Sequence, residues 1–419
     1  MAERIAIVGA SLGGLRAAEQ LRAAGWTGEI VVIGAEPYMP YNRPPLSKEA
    51  LAGAAPFDSL AFRPRASVAD VTWRLGVKAS TVDLTTRVLT LGDGEPLPFD
   101  GLVVATGLRP RRLPVPGAGS IQGWARSDQP ELSRQPGTTR AERAGQQGAG
   151  PGGLVLRTLD DAVRLRAALT PGVRLVVVGA GFIGCEVAAT ARHLGAEVTV
   201  VDPLPLPMVG PLGEPLAAAL LRRHQSRGVR FHLGRTVDRF ETGKVILDDG
   251  AALSCDVVVE AVGSQSNTEW LAGNGLDLSD GVLCDGHLRV EGLPYAVAVG
   301  DVARFPNARY DGVPRRVEHW SIPGDTAKRA ARTLVAGLSG TPLDGAPFAP
   351  LPTFWSDQYA ERLQAIGAPA LGAGGIRVLD GDLDGDVVVG YHRDGDLVGV
   401  VGLGGSRTTA AVARYRGAL

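Results

Sequence analysis

The chain has 419 residues, 45% of them apolar and 5% aromatic, which is enough for two or three folded domains. Its 43 basic and 44 acidic side chains give a net charge of −1, so no charge excess points to nucleic acid or to an anionic membrane surface. No apolar run approaches the roughly 20 residues of a spanning helix, and the first core strand begins near Arg4, where a signal peptide would otherwise stand; a cytoplasmic protein is the expectation.

The first element is an apolar strand over Ile5 to Val8, followed at once by GASLGG (9–14) and an amphipathic helix over Leu15 to Ala24. In such a fingerprint the first glycine permits the turn. The second lets the backbone approach a pyrophosphate, and the third lets helix pack on strand. The phosphates then lie at the helix N-terminus, where unpaired N–H groups and the dipole favour negative charge. Ser11 stands at the second glycine position; it is small, and its hydroxyl adds a hydrogen-bonding group. Gly9, Ser11, Gly13 and Gly14 are therefore expected to hold a dinucleotide. A second strand, Ile30 to Ile33, leads to Glu36, placed to accept ribose hydroxyls. This unit closes at LVVATG (102–107), which makes Ala105, Thr106 and Gly107 further candidates, and a Pro/Arg-rich exit runs to Pro116.

Residues 119 to 153 change character, being rich in Gly, Gln, Arg, Ser and Pro with almost no apolar periodicity. They read as a flexible surface insertion, or as a partner-binding loop. A helix is expected to start at Thr158, with Asp161 three residues on as its capping partner. A second complete fingerprint follows: the strand Leu175 to Val178, GAGFIG (179–184), a helix over Glu186 to Leu194, the strand Glu197 to Val201, and the acid Asp202. Gly179, Gly181, Ile183 and Gly184 are its loop candidates. Asp202 would accept bonds from a free 2′-hydroxyl and repel a 2′-phosphate, which favours NADH over NADPH. This unit closes at VVVEAVG (257–263), an echo of the earlier exit that adds Gly263.

The run YAVAVGD (295–301) is one more buried strand meeting an acid, giving Gly300 and Asp301. From about residue 342 onward a separate α/β domain is expected, with strands over 385–392 and 397–403. The predicted architecture is α/β: two Rossmann-like nucleotide-binding domains, one interrupting the other, plus a C-terminal α/β interface domain. Its parts are residues 1–117, 118–262, 263–341 and 342–419. Two dinucleotide sites on one chain suggest electrons passing between two cofactors, as in a flavoprotein that takes hydride from a nicotinamide. Cys185, Cys255 and Cys284 form no CxxC or CxxxxC pair, and the six histidines lack metal-like spacing, so no metal is expected and the thiols read as buried.

Five stretches carry a resemblance to a known family: YNRPPLSK (41–48), GFIGCE (181–186), VGDV (299–302), EHW (318–320) and FWSDQ (354–358). Over nearly the whole chain apart from 119–153, the sequence resembles the FAD-dependent, NADH-linked ferredoxin reductases of oxygenase systems, the putidaredoxin, rubredoxin and biphenyl-type dioxygenase reductase group. The resemblance implies that Arg43 and Lys48 lie along the flavin, where a cation stabilises its reduced anion. It implies that Lys48 pairs with Glu186, that Glu186 orients the nicotinamide carboxamide, that Asp301 holds a ribityl hydroxyl, and that Trp320 covers the isoalloxazine. No cysteine adjoins the flavin segment, so electrons would leave directly to a docked carrier, a 2Fe–2S ferredoxin serving a haem-thiolate or Rieske oxygenase. Arg309, Arg315 and Arg316 would form the basic rim that steers an acidic ferredoxin. The alternatives are an NADH-dependent flavin oxidase or quinone reductase, and a redox-sensing interaction protein related to apoptosis-inducing factor. Either a monomer or a homodimer fits. Two places depart from the family pattern: Asn42, where aspartate is usual, and IPGD (322–325).

Overall fold

The computed structural model describes residues 3–118, 153–343 and 345–419. The expectation for 119–153 therefore falls, except for Gly153, outside the described residues. Among the described residues no helix is long and apolar enough to cross a membrane, and no cluster of His, Cys, Asp or Glu is arranged to hold a metal ion.

Two units of the molecule repeat one plan. In the first, the strand Arg4–Val8 leads into helix α1 (Leu12–Ala23) and the strand Glu29–Gly34. Its five-stranded sheet is parallel, in the order 296–298, 101–104, 4–8, 29–34, 72–75. The outer strand Ala296–Ala298 comes from beyond the second unit, so the first sheet is completed only after that unit has been traversed. The inner strands are apolar almost throughout rather than alternating, because a parallel sheet covered on both faces offers no wet side there.

The second unit enters through helix α2 (Leu159–Ala168), whose N-cap Thr158 and Asp161 form the expected reciprocal capping box. Its sheet is again parallel, in the order 230–233, 197–202, 174–178, 257–260, with α3 (Phe182–His193) crossing after the first strand. Each unit also carries a three-stranded antiparallel sheet just before its closing strand, over 79–98 and 237–254. Both fingerprint helices start three or more residues earlier than the apolar periodicity suggested, because the glycines that hide the periodicity already lie in the first turn.

Helix α4 (Val209–Ser226) is kinked at Gly213, whose φ is +70°, two residues before Pro215. The Tyr391 hydroxyl donates to the Leu212 carbonyl at this break (2.6 Å), so the kink does not leave an orphan acceptor. Helix α5 (Ile322–Ser339) starts with Pro323 in its first turn, where the missing N–H costs nothing. The C-terminal region is a five-stranded antiparallel sheet in the order 353–358, 361–367, 396–404, 387–393, 376–381, closed by helix α6 (Ser406–Ala413). Its inner face, with Leu363, Val389, Tyr391 and Val401, packs against Leu212, Leu216 and Leu220 of α4 and Cys185 of α3. The C-terminal sheet is thus seated on the helices of the second unit, beside its fingerprint loop. All three cysteines are buried and unpaired.

Candidate functional site

The turns at Gly9 and Gly179 have φ of +119° and +107°, conformations that only glycine adopts without strain. At both turns a side chain would run into the closing strand's exit, the Ala105 carbonyl in one unit and the Ala261 carbonyl in the other. A Cβ on Gly14 or Gly184 would meet the carbonyl of Gly9 or Gly179, so each helix is seated directly on its turn. Neither Ser11 nor Gly181, the two N-caps, makes a side-chain capping bond. The first-turn N–H groups are therefore left for an anion, which is what a pyrophosphate cradle requires.

The acids that follow the two fingerprints behave differently. The Glu36 carboxylate accepts from the Tyr41 hydroxyl and from Arg43 Nη2, both at 2.5 Å. Arg43 also donates to Ser11 Oγ (3.2 Å), Tyr41 Oη (2.9 Å) and the Arg157 carbonyl (2.7 Å). Burial pushes the Tyr41 phenol up, which keeps it a hydrogen-bond donor to Glu36. Arg43 thus lies at the fingerprint end of the first cradle. Four hydrogen bonds, to Ser11, Glu36, Tyr41 and the Arg157 carbonyl, hold its guanidinium there. Asp202, by contrast, accepts from the backbone N–H groups of Ala180 (2.6 Å) and Leu204 (2.8 Å). Its carboxylate braces the second loop from within. Next to it the position above Gly181 is open, and Ile183 in the first turn of α3 leaves 43% of its surface exposed.

Lys48 and Glu186 meet as the resemblance implied, at 2.7 Å, in a junction where Glu186 is buried and Lys48 half-buried. Glu186 is 3% exposed. It also accepts from Ser47 Oγ (2.5 Å) and from Ser356 Oγ (2.7 Å). A buried carboxylate is tolerated only when paired and hydrogen-bonded, and each of these donors meets that need. The junction joins three regions: the 41–48 segment of the first unit, which gives Lys48 and Ser47, α3 of the second, which gives Glu186, and the first strand of the C-terminal sheet, which gives Ser356. Ser47 is further tied to α3 through its carbonyl, which accepts from Thr190 Oγ1 (2.7 Å).

Asp301 sits in the turn Gly300–Val302, where Gly300 has φ +79° and donates its N–H to Thr326 Oγ1 in the first turns of α5 (2.9 Å). Burial pushes the Asp301 carboxyl above the usual carboxylate range, and Arg157 at 3.5 Å opposes that shift. Arg157 also reaches the space above Gly107. The two unit exits are laced together, as Thr106 Oγ1 donates to the Asn267 carbonyl (2.6 Å) and Asn267 Nδ2 to the Thr106 carbonyl (2.9 Å). Gly263 remains at positive φ (+94°) beside Arg111. Sequence reasoning missed Tyr41, Ser47, Arg157, Asn267 and Ser356. Tyr41, Ser47 and Ser356 lay inside the recognised stretches, whereas Arg157 and Asn267 had no local signal.

Trp320 is 43% exposed, stands edge-on to Trp355 (5.7 Å between ring centres), and donates Nε1–H to Asn42 Oδ1 (2.9 Å). Its neighbour His319 is half-buried and stacks at a tilt on Phe354 (4.9 Å between ring centres). Two arginines of the expected rim are paired with acids of their own chain. Arg315 and Arg393 share Asp311 (2.5 and 3.0 Å), Arg316 pairs with Asp280 (2.6 Å) and Glu318 (2.7 Å), and Arg309 donates to the Leu419 carbonyl (2.8 Å).

With this geometry in view, comparisons with known proteins define the class. The family model described as pyridine nucleotide-disulphide oxidoreductase matches residues 3–322, and a reductase C-terminal model matches 353–416. The chain belongs to this oxidoreductase family and uses FAD and NAD(H). Among its relatives, the ferredoxin–NAD(+) reductase component of the p-cumate 2,3-dioxygenase system of Pseudomonas putida is 32% identical over 98% of this chain and 92% of its own. Putidaredoxin reductase of the same organism is 34% identical (87% and 80%), and rhodocoxin reductase of Rhodococcus erythropolis 33% (91% and 82%). The crystal structure of the covalent putidaredoxin reductase–putidaredoxin complex superposes with a TM-score of 0.84 at 30% identity, covering 99% of this chain and 92% of that one.

Proposed function

We propose that this protein is the NADH-dependent reductase of a 2Fe–2S ferredoxin that serves a haem-thiolate or Rieske oxygenase. The observation that carries this reading is the Lys48–Glu186 pair, set where the 41–48 segment meets the second fingerprint helix. Its relatives of known name are reductases of that kind, and a reductase bound to its ferredoxin shares its fold.

In this reading the first cradle holds FAD through Gly9, Ser11, Gly13 and Gly14, with Glu36, Arg43, Ala105, Thr106, Gly107, Gly300 and Asp301 around it. The second holds NADH through Gly179, Gly181, Ile183, Gly184, Asp202 and Gly263. The chemistry supplied by the two bound cofactors is hydride transfer followed by release of electrons one at a time. The chain's own part is placement. Glu186 would accept the carboxamide N–H and so fix the nicotinamide face, while Lys48, bonded to that carboxylate, would lend positive charge to the flavin side. Trp320 and Trp355 border the opening on the 41–48 side. The domain limits 1–117, 118–262, 263–341 and 342–419 go with this assignment. We place the protein in the cytoplasm, where three buried free thiols fit a reducing compartment.

The test is rapid mixing of the FAD-loaded protein with NADH and then with an oxidised 2Fe–2S ferredoxin. Fast bleaching, followed by reoxidation much faster with ferredoxin than with oxygen, is the expected result. Reoxidation by oxygen or quinones alone overturns it.

A further inference from the structure

The hydrogen bonding of Glu186 does not stop at its three donors. Ser356 Oγ, which donates to Glu186 Oε1, accepts from Gln358 Nε2 (3.0 Å). Gln358 Oε1 lies 2.7 Å from His224 Nε2, and His224 Nδ1 lies 2.9 Å from the Tyr359 hydroxyl. The direction of every link is determined. An amide oxygen only accepts, so His224 Nε2 carries the proton; Nδ1 of the neutral ring is then a lone pair, and the Tyr359 hydroxyl must donate to it. Burial holds His224 neutral, its pKa pushed down to about 4. From Tyr359 inward each donor points toward one anion, the Glu186 carboxylate.

The chain spans the packing of the C-terminal sheet on α4, since His224 is in the last turn of α4 while Ser356, Gln358 and Tyr359 lie on and just after one strand. His224 and Ser356 are 0% exposed. Tyr359 occupies the hairpin after that strand with φ +58°, a left-handed conformation that disfavours a bulky residue. Its ring is held there by His224 (5.2 Å, edge-on) and by the guanidinium of Arg227 (4.5 Å). An all-apolar interface would satisfy packing without this strain or the burial of three polar side chains, Ser356, Gln358 and His224.

We propose that Ser356, Gln358, His224 and Tyr359 are positioning residues: a one-way hydrogen-bond chain from the C-terminal domain that fixes the orientation and charge of Glu186, and through it the nicotinamide. This rests on the reading of Glu186 given above. The amide in the middle cannot relay a proton without changing tautomer, so the chain acts by polarisation and not as a proton wire.

The experiment combines three readouts on FAD-loaded protein. For Ser356→Ala, reduction at saturating NADH slows about tenfold, the size of losing one hydrogen bond to a charged group. For Gln358→Met, one link further out, it slows by a smaller factor of about three. Affinity for ADP-ribose, which lacks the nicotinamide, stays within about twofold of the parent in both. Ser356→Ala adds no slowing in a Glu186→Gln background, because the two share one path. In the oxidised parent protein, 15N NMR, assigned by comparison with His224→Gln, finds His224 protonated on Nε2.

An Ser356→Ala variant that reduces at the parent rate while Glu186→Gln is slow overturns the chain and leaves Glu186 standing. So does equal slowing by Ser356→Ala in both backgrounds, a parallel loss of ADP-ribose affinity, or an Nδ1-protonated His224. A Glu186→Gln variant as fast as the parent overturns the reading of Glu186 itself, and the chain with it.

Discussion

The two nucleotide units share a fingerprint, a sheet order and a closing strand, yet their rims differ. Around the first, Glu36, Tyr41, Arg43 and Ser11 form a closed polar strap that crosses the helix N-terminus. Around the second, the acid is turned inward onto its own loop, and the space above Gly181 is open. One local fold can therefore serve either a resident or an exchanging ligand, and the side chains laid across the helix N-terminus decide which. FAD, which must stay through many turnovers, fits the strapped cradle; NADH, which must leave after each, fits the open one.

The sharpest way to break this contrast is to damage each helix seat in turn. Gly184→Val, whose side chain would meet the Gly179 carbonyl, is expected to leave a yellow protein with NADH reduction slowed at least about 100-fold. Gly14→Val is expected to lose the flavin. Flavin absorbance after gel filtration and rapid-mixing kinetics measure the two, and equal flavin loss in both variants would falsify the division of labour. Next in size, Arg43→Leu opens the strap. FAD affinity should fall by about 10- to 100-fold, the loss of charge-assisted bonds. NADH reduction of the FAD-saturated variant should stay near the parent's, and a comparable loss on the nicotinamide side would contradict the placement of Arg43. The open cradle should also prefer NADH, with kcat/KM at least about tenfold above that for NADPH; a ratio below one would refute the role given to Asp202.

Acid should loosen the C-terminal seat before it touches the cradles. Desolvation holds buried His224 and half-buried His319 without charge, their pKa values pushed down to about 4 from the ordinary 6.5. Above about pH 6.5 both are neutral whether folded or not, and stability is full. As the pH falls from 6.5 toward 4, the unfolded chain takes up protons that the folded one refuses, so stability falls. The loss is about 2 kcal/mol per histidine by pH 5. Denaturant midpoints at pH 7 and 5 test this, and His224→Gln should shrink the difference; a parent protein equally stable at both pH values would contradict it. The smallest effect is expected from Arg315→Gln with Arg316→Gln. Both arginines are already paired with acids of their own chain, so ferredoxin reduction and its salt dependence should change less than about threefold. A larger drop would restore the basic rim.

Much of this molecule was readable before its coordinates. The fingerprints, their acids, the Thr158 cap and the Lys48–Glu186 pair were legible because each depends on residues close in sequence or on a stretch with a recognisable pattern. The partners of Arg43 were not legible because an arginine's reach exceeds what its position in a segment specifies. The arginines near 315 looked like a rim because sequence shows charges and not their partners: Asp280 and Arg393 come from distant strands and only folding brings them to Arg316 and Asp311. Arg157 and Asn267 were invisible for the same reason.

By itself, then, the sequence determined that this chain builds two dinucleotide cradles, because glycine spacing, strand apolarity and a terminal acid are local requirements of the backbone. What tertiary structure alone decided is how the cradles differ and how they are joined. The inward turn of Asp202, the closure of Arg43 over Ser11, and the descent of Ser356 from the C-terminal sheet onto Glu186 all depend on side chains far apart in sequence. Their pairing is set by which charges and hydroxyls must be satisfied once the core has taken them out of water.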